Sequence, residues 1–239
     1  MKKGQMVSLC LKNKGSAVRF CLWPQVSNII KKLNEYINFT DGFFVEAGSY
    51  DGIFSSNTLT LEKNLNWKGL LIEPNFEKYL ECLKNRKDSI TVSAALCSFK
   101  EYKKNKLLYS KYDGPSASIN NLRHKKRKFI IKKKNKINLI PQYAIPFSLL
   151  MDNLGLENQD VDFFSLDVEG YEYRVLNGID FVKHKPKYLL VEVYSYDEDR
   201  IFKLLKKKNY KEPINLTNYN MIDNPTWDGL HQDYLFISK

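Results

Sequence analysis

The chain has 239 residues, enough for one large domain with a well-buried core and short for two. Apolar residues make up 43% of it and aromatics 13%, which excludes a chain disordered throughout, and no run approaches the roughly 18 apolar residues of a membrane span. The formal net charge is +11, concentrated in Arg123-His-Lys-Lys-Arg-Lys128 and Lys132-Lys-Lys-Asn-Lys136, a run that attracts polyanions or stands as a solvated loop. Lysine and asparagine abound everywhere in the sequence, so the loop is expected. Met1-Lys-Lys-Gly4 leads into no unbroken hydrophobic stretch, and Cys10, Cys21, Cys82 and Cys97 are widely spaced. An unprocessed, soluble, cytoplasmic protein with buried free thiols is expected.

In chain order, Pro24 precedes Val26, Ile29, Ile30, Leu33 and Ile37, a 3.6-residue stripe that predicts an amphipathic helix. It is read as part of a helical extension over residues 1–40 that packs on a core domain over 41–239. Phe43–Ala47 is a short apolar run ending at Gly48 and predicts a buried strand entering a tight turn. Helical spacing follows over Asn57–Leu65, with Ser55 or Ser56 to cap it. Trp67–Ile72 predicts a second strand, stopped at Glu73-Pro74, then Phe76–Leu83 a helix and Ile90–Ala95 a third strand.

Residues 99–142 break this rhythm and read as an insertion on the substrate side, with the basic run inside it. Helix Leu149–Leu154, strand Val161–Leu166, helix Tyr171–Leu176, strand Lys187–Val193, helix Glu198–Lys207 and a final strand at Tyr234–Ile237 complete the alternation. Such alternation predicts an α/β fold with a mostly parallel sheet and helices on both faces.

In such a sheet ligands gather at the carboxyl ends of the strands, so the loops there matter most. Gly48 and Gly52 allow a sharp turn and a close approach of backbone N–H groups to a ligand. This is not the Gly-x-Gly-x-x-Gly fingerprint, because the spacing differs and Tyr50 stands between the glycines. Glu73 ends the second strand, where a carboxylate can accept both hydroxyls of a ribose. Asn75 and Glu46 are its candidate partners toward the ribose or the amino-acid end of a cofactor.

Ser165-Leu-Asp-Val-Glu-Gly-Tyr171 follows the fourth strand, and alternation in an extended segment would point Asp167 and Glu169 the same way. Two adjacent carboxylates need a cation, a shared proton or a hydrogen-bonding partner. Glu192 ends the fifth strand at the same edge, and His231 and Asp233 stand before the last one.

At these residues the chain resembles the FkbM-type S-adenosylmethionine (SAM)-dependent methyltransferases. Phe44-Val-Glu-Ala-Gly-Ser-Tyr-Asp-Gly-Ile-Phe-Ser-Ser-Asn-Thr58 is similar to that family's first motif and Trp67–Asn75 to its second. Val161-Asp-Phe-Phe-Ser-Leu-Asp-Val-Glu-Gly-Tyr-Glu-Tyr173 is similar to its most characteristic one, and Val92-Ser-Ala-Ala-Leu-Cys97 to the segment contacting adenine.

The resemblance implies a Rossmann-like class I methyltransferase with seven strands, the last antiparallel, and methyl transfer to oxygen. It implies a cofactor site of Glu46, Gly48, Ser49, Asp51, Gly52 and Asn57 on the first loop, with Glu73, Asn75 and Ala94. Glu46, Gly48 and Asp51 would hold the methionine part. Asp167, Glu169, Glu192 and His231 form the reaction side, Asp167 being the first choice of base.

The acceptor expected is a sugar hydroxyl on a glycan or a glycosylated small molecule. The rivals are an RNA or cap methyltransferase and a non-catalytic binding module. For RNA, the basic run offers Phe129 alone as a stacking ring. A reaction without metal is expected; Asp167, Glu169 and Glu192 are the set that would hold Mg²⁺ otherwise.

Overall fold

The computed structural model describes residues 7–13, 16–22, 24–104, 108–111, 139–220, 222, 227 and 229–239. Strands β1 (Val7–Asn13) and β2 (Ser16–Leu22) pair antiparallel, Val7 opposite Leu22 and Asn13 opposite Ser16. A hairpin therefore stands where a helical extension alone was expected over residues 1–40. Helix α1 (Pro24–Leu33) follows as expected, and Ile29, Ile30, Leu33 and the trailing Ile37 are all buried.

The first half of the sheet is built from β3 (Phe43–Ala47), α2 (Leu59–Leu65), β4 (Lys68–Ile72), α3 (Phe76–Asn85) and β5 (Ile90–Val92). The third strand stops sooner than its apolar run. Beyond Ser93, β6 (Ala95–Leu96) leaves the main sheet and pairs in parallel with β9 (Ala144–Ile145). Helix α4 (Phe99–Lys103) carries a complete capping box, Ser98 with Glu101. Strands β7 (Leu108–Lys111) and β8 (Leu139–Gln142) then pair antiparallel, so the expected insertion begins and ends in regular structure. The basic run Arg123–Lys136 lies outside the described residues.

The second half comprises α5 (Phe147–Asn153), β10 (Phe163–Leu166), α6 (Glu172–Leu176), β11 (Tyr188–Tyr194), α7 (Glu198–Lys207), β12 (Ile214–Asn215) and β13 (His231–Ile237). The seven-stranded sheet has the order β12-β13-β11-β10-β3-β4-β5. β13 is antiparallel to both of its neighbours, while the remaining pairs are parallel. The expected mostly parallel sheet with an antiparallel last strand is thus present, and its order reverses between β3 and β10.

Period-two alternation explains why these strands read as continuous apolar runs. Phe44, Leu71, Phe163, Leu190 and Leu235 pack on one face with Ile29, Leu33 and Leu61 from α1 and α2. Val45, Ile72, Phe164, Val191 and Phe236 pack on the other with Met151, Val175, Ile201 and Leu205 from α5, α6 and α7. Among the described residues no helix is long and apolar enough to cross a membrane. Cys82 and Cys97 are buried free thiols.

Candidate functional site

The reversal of strand order opens a cleft at the carboxyl ends of β3, β4 and β10, as the geometry of open α/β sheets requires. The loop after β3 turns through Gly48, Tyr50, Gly52 and Ser55, all at positive φ. At Gly48 (φ +83°) a β-carbon would lie 1.8 Å from the Asp167 carbonyl oxygen. Only glycine lets the first loop touch the end of β10. Gly48→Ala is expected to cost about 1–3 kcal/mol of stability from backbone conformation alone, before the clash is relieved. Chemical denaturation checks this; unchanged stability would show that the two loops can separate freely.

Tyr50 is a non-glycine residue at φ +49° and is held there from three sides. Its N–H donates to Glu73 Oε2 at 2.8 Å, its ring lies 4.4 Å from Lys78 Nζ, and Phe54 packs edge-on against it. Glu73 is buried at the end of β4, and its Oε1 accepts the Asn75 N–H at 2.7 Å. Burial pushes the Glu73 carboxyl up to about 7, while the two N–H donors and Lys78 pull it back. A carboxylate has about four acceptor positions, so two remain for a ligand with paired hydroxyls. Asn75 also caps α3, its side chain accepting from the N–H groups of Glu77 and Lys78.

Glu46 points the other way, into the loop. It accepts from Ser56 Oγ (2.8 Å), Thr58 Oγ1 (2.7 Å) and the Asn57 N–H (2.8 Å). Arg86, fully buried at the end of α3, binds the Gly52 carbonyl, Ser56, Thr58 and Glu62, and lies 3.7 Å from Glu46. Together they staple the far side of the first loop. The N-cap of α2 is Thr58 rather than the expected Ser55 or Ser56, although Ser56 Oγ does accept the Leu59 N–H at 3.1 Å. Asn57 donates to Ser165 Oγ at 3.0 Å, and its Oδ1 is a buried acceptor without a hydrogen-bond partner.

Of the expected cofactor residues, Glu46, Gly48, Ser49, Glu73, Asn75 and Ala94 line this one cleft, and Asp167 and Glu169 close it. Asp51, Gly52 and Asn57 are not in its wall. Asp51 instead accepts the N–H groups of Ile53 and Phe54 and shapes the turn.

On the reaction side Asp167 is exposed and its neighbours are not. Glu169 and Asp167 share the cleft, but not by strand alternation. The chain turns at Glu169 (φ +60°) and Gly170 (φ +89°), and Glu169 accepts from Tyr194 Oη at 3.1 Å. The acid that joins Asp167 and Glu192 is Glu172, with carboxylate oxygens of the three within 4.8 Å of one another. Glu172 Oε1 accepts the N–H groups of Val168 and Gly170, which ties it to the turn.

Burial, then the charge of Asp167, pushes Glu192 well above the usual carboxylate range and Asp233 up to about 8. Glu172 rises to about 8, chiefly through burial, with Asp167 adding to it. His231 Nε2 lies 3.5 Å from Glu192 Oε1, and its ring packs against Tyr194 and Tyr219. Tyr194 stacks on Tyr196 with centroids 5.3 Å apart.

Glu172 and Arg86 were missed from sequence. For Glu172 a signal existed, an acid at the first position of a helix directly behind a glycine turn. Arg86 had none, being one of 38 basic residues.

Residues 46–212 match the profile of the family described as "Methyltransferase FkbM domain". No curated protein matches the chain. Among solved structures, the chain is similar to methyltransferase FkbM from Methylobacillus flagellatus KT, at 14% identity and a TM-score of 0.49, covering 84% of this chain and 45% of that one. It is also similar to TYW2 of M. jannaschii in complex with AdoMet (14% identity, TM-score 0.43, covering 99% and 88%). A third is precorrin-6y C5,15-methyltransferase from Geobacter metallireducens GS-15 (10% identity, TM-score 0.46, covering 96% and 95%).

Proposed function

Because the chain belongs to the FkbM methyltransferase family and is a SAM-dependent methyltransferase, we propose that it methylates a sugar hydroxyl on a glycan or a glycosylated small molecule. SAM supplies an electrophilic methyl group, which leaves the protein to bind, align and deprotonate. Glu73 accepts the ribose hydroxyls, the backbone of the Gly48–Ser49 turn approaches the methionine part, and Ala94 borders the adenine. Glu73 supports this fit, since it lines the cleft and its carboxylate has acceptor positions left beyond the Tyr50 and Asn75 N–H groups, which suit the paired hydroxyls of a ribose. Glu46 and Arg86 act one step back, holding the loop in shape.

The observation that carries the acceptor reading is the reaction side. Asp167 is an exposed carboxylate at the cleft, backed by the buried acids Glu172, Glu192 and Asp233, whose carboxyls burial raises above the usual carboxylate range. A neutral hydroxyl is a poor nucleophile, and Asp167 is the group able to take its proton as the new bond forms. Glu169 and Glu192 orient the acceptor, and His231 contacts it through the same edge.

Tyr196, half-exposed and stacked on Tyr194, offers an aromatic face to a sugar ring. A phosphate backbone would meet repulsion from Asp167 and Glu169, which disfavours RNA as acceptor. The buried thiols support placing the reaction in the cytoplasm.

Incubation with methyl-labelled SAM and a panel of sugars, glycosylated small molecules, proteins and RNA tests the reading. Label is expected in an alkali-stable ether on a sugar. Label confined to RNA or to an amine would overturn the acceptor.

A pH dependence follows from Glu73. Its folded-state carboxyl is raised to about 7 from 4.5, so the stability it contributes is present below the unfolded value and is lost as pH rises through 7. Ribose hydroxyls donate best to the charged form. SAM binding below pH 7 is therefore expected to release a proton and to weaken by up to about tenfold per pH unit. Calorimetry in buffers of different ionisation enthalpy measures that release. A proton count of zero near pH 6 would place the ribose elsewhere.

A further inference from the structure

We infer that Asp167, Glu172 and Glu192 form a binding site for one hard divalent cation at the acceptor edge of the cleft. Three observations carry it. First, these side chains come from different elements, the loop after β10, the first position of α6 and the end of β11, yet bring one carboxylate oxygen each within 4.8 Å of the others. Two oxygens on one ion are separated by at most twice the bond length, about 4.2 Å for Mg²⁺ and about 4.6–5.2 Å for Ca²⁺. The 4.8 Å bound thus matches the coordination sphere of Ca²⁺ as it stands, and the smaller Mg²⁺ would draw the three oxygens closer together.

Second, Glu192 is only 8% exposed, and its Oε2 is buried without any hydrogen-bond partner. A buried, unpaired carboxylate oxygen loses its hydration without compensation, and a cation supplies what protein donors here do not. Third, Glu172 is oriented in advance. The N–H groups of Val168 and Gly170 hold its Oε1, fixing the carboxylate against the turn that carries Asp167. An all-oxygen ligand set selects Mg²⁺, Ca²⁺ or Mn²⁺ over metals that prefer nitrogen or sulfur.

This set differs from the one suggested by spacing, because Glu169 turns to Tyr194 and Glu172 takes its place. Each acid offers one oxygen to the ion, and Asp167 is the member of the three that also lines the cleft. The site rests on the proposed reaction side for its use but not for its existence, so it is tested by binding alone.

The full chain, freed of metal with chelator, is titrated separately with MgCl₂, CaCl₂ and MnCl₂ by calorimetry, with electron paramagnetic resonance following free Mn²⁺. One ion per chain is expected, with a saturable rise in melting temperature for at least one of the three. Glu192→Gln and, independently, Glu172→Gln should each weaken binding at least tenfold. Metal-free Glu192→Gln should melt no lower than metal-free wild type, because the amide fills the same space in a crowded, buried cluster of acids without ever having to carry a charge there.

Absence of saturable binding and of any melting shift in wild type up to roughly 10 mM, beyond the weak end of protein cation sites, would overturn the site. So would binding that both variants retain at full strength. Ion binding without methylated sugar would sink the acceptor reading and leave the site standing; methylated sugar without ion binding would do the reverse.

Discussion

Replacing Glu73 by alanine is expected to weaken SAM binding by about 100-fold or more, since two charge-assisted hydrogen bonds to a ribose contribute about 1.5–3 kcal/mol each. The geometry makes this effect large. Glu73 is buried at the end of β4, and its two bonds within the protein both come from backbone N–H groups, Tyr50 on one oxygen and Asn75 on the other. Alanine leaves those donors and the ribose without an acceptor at once.

The fold should persist, because the β4 ladder and the Trp67–Leu71 packing lie on the other side of the residue. Glu73→Gln keeps an acceptor oxygen and should lose less affinity than alanine. Calorimetry and a thermal melt on the same preparation separate binding from folding. A cooperative melt with unchanged affinity would remove Glu73 from the site.

The second large effect is expected at Asp167. Asp167→Asn keeps size and much of the hydrogen bonding but removes the base, and turnover at saturating acceptor should fall about 10²- to 10⁴-fold. SAM affinity should change by only a few-fold, because the ribose and adenine ends of the cleft are untouched. Stability should hold, since Asp167 is the exposed member of its cluster and its charge raises Glu172, Glu192 and Asp233. Turnover near that of wild type would pass the role of base to another group of the same edge.

The parts of this molecule legible in the sequence are those where a local pattern reports a long-range fact. Strands β3, β4, β10 and β11 are buried on both faces, so Phe43–Ala47 or Tyr188–Tyr194 shows as an apolar run whichever partner it finds. The sharp turn at Gly48 and the acid at Glu73 were legible for a related reason, because a strand end in a parallel sheet fixes which edge its next residue reaches.

Pairing between weak strands was not legible. Nothing local in Val7–Asn13 and Ser16–Leu22 distinguishes a hairpin from an irregular segment, and β7 with β8 joins residues some thirty positions apart. Nor does the sequence mark a left-handed residue at Glu169, and an extended segment there brings Glu169 rather than Glu172 beside Asp167. The loop-facing turn of Glu46 and the burial of Arg86 depend on each other across the fold. Neither residue type announces this alone.

A crystal structure of the full chain with S-adenosylhomocysteine tests the central claim most directly. Both ribose hydroxyls should lie within hydrogen-bonding distance of the Glu73 carboxylate, the amino-acid end against the Gly48–Ser49 turn, and the sulfur on the side of Asp167. A nucleoside bound elsewhere, or a ribose turned away from Glu73 with its sulfur far from Asp167, would contradict it.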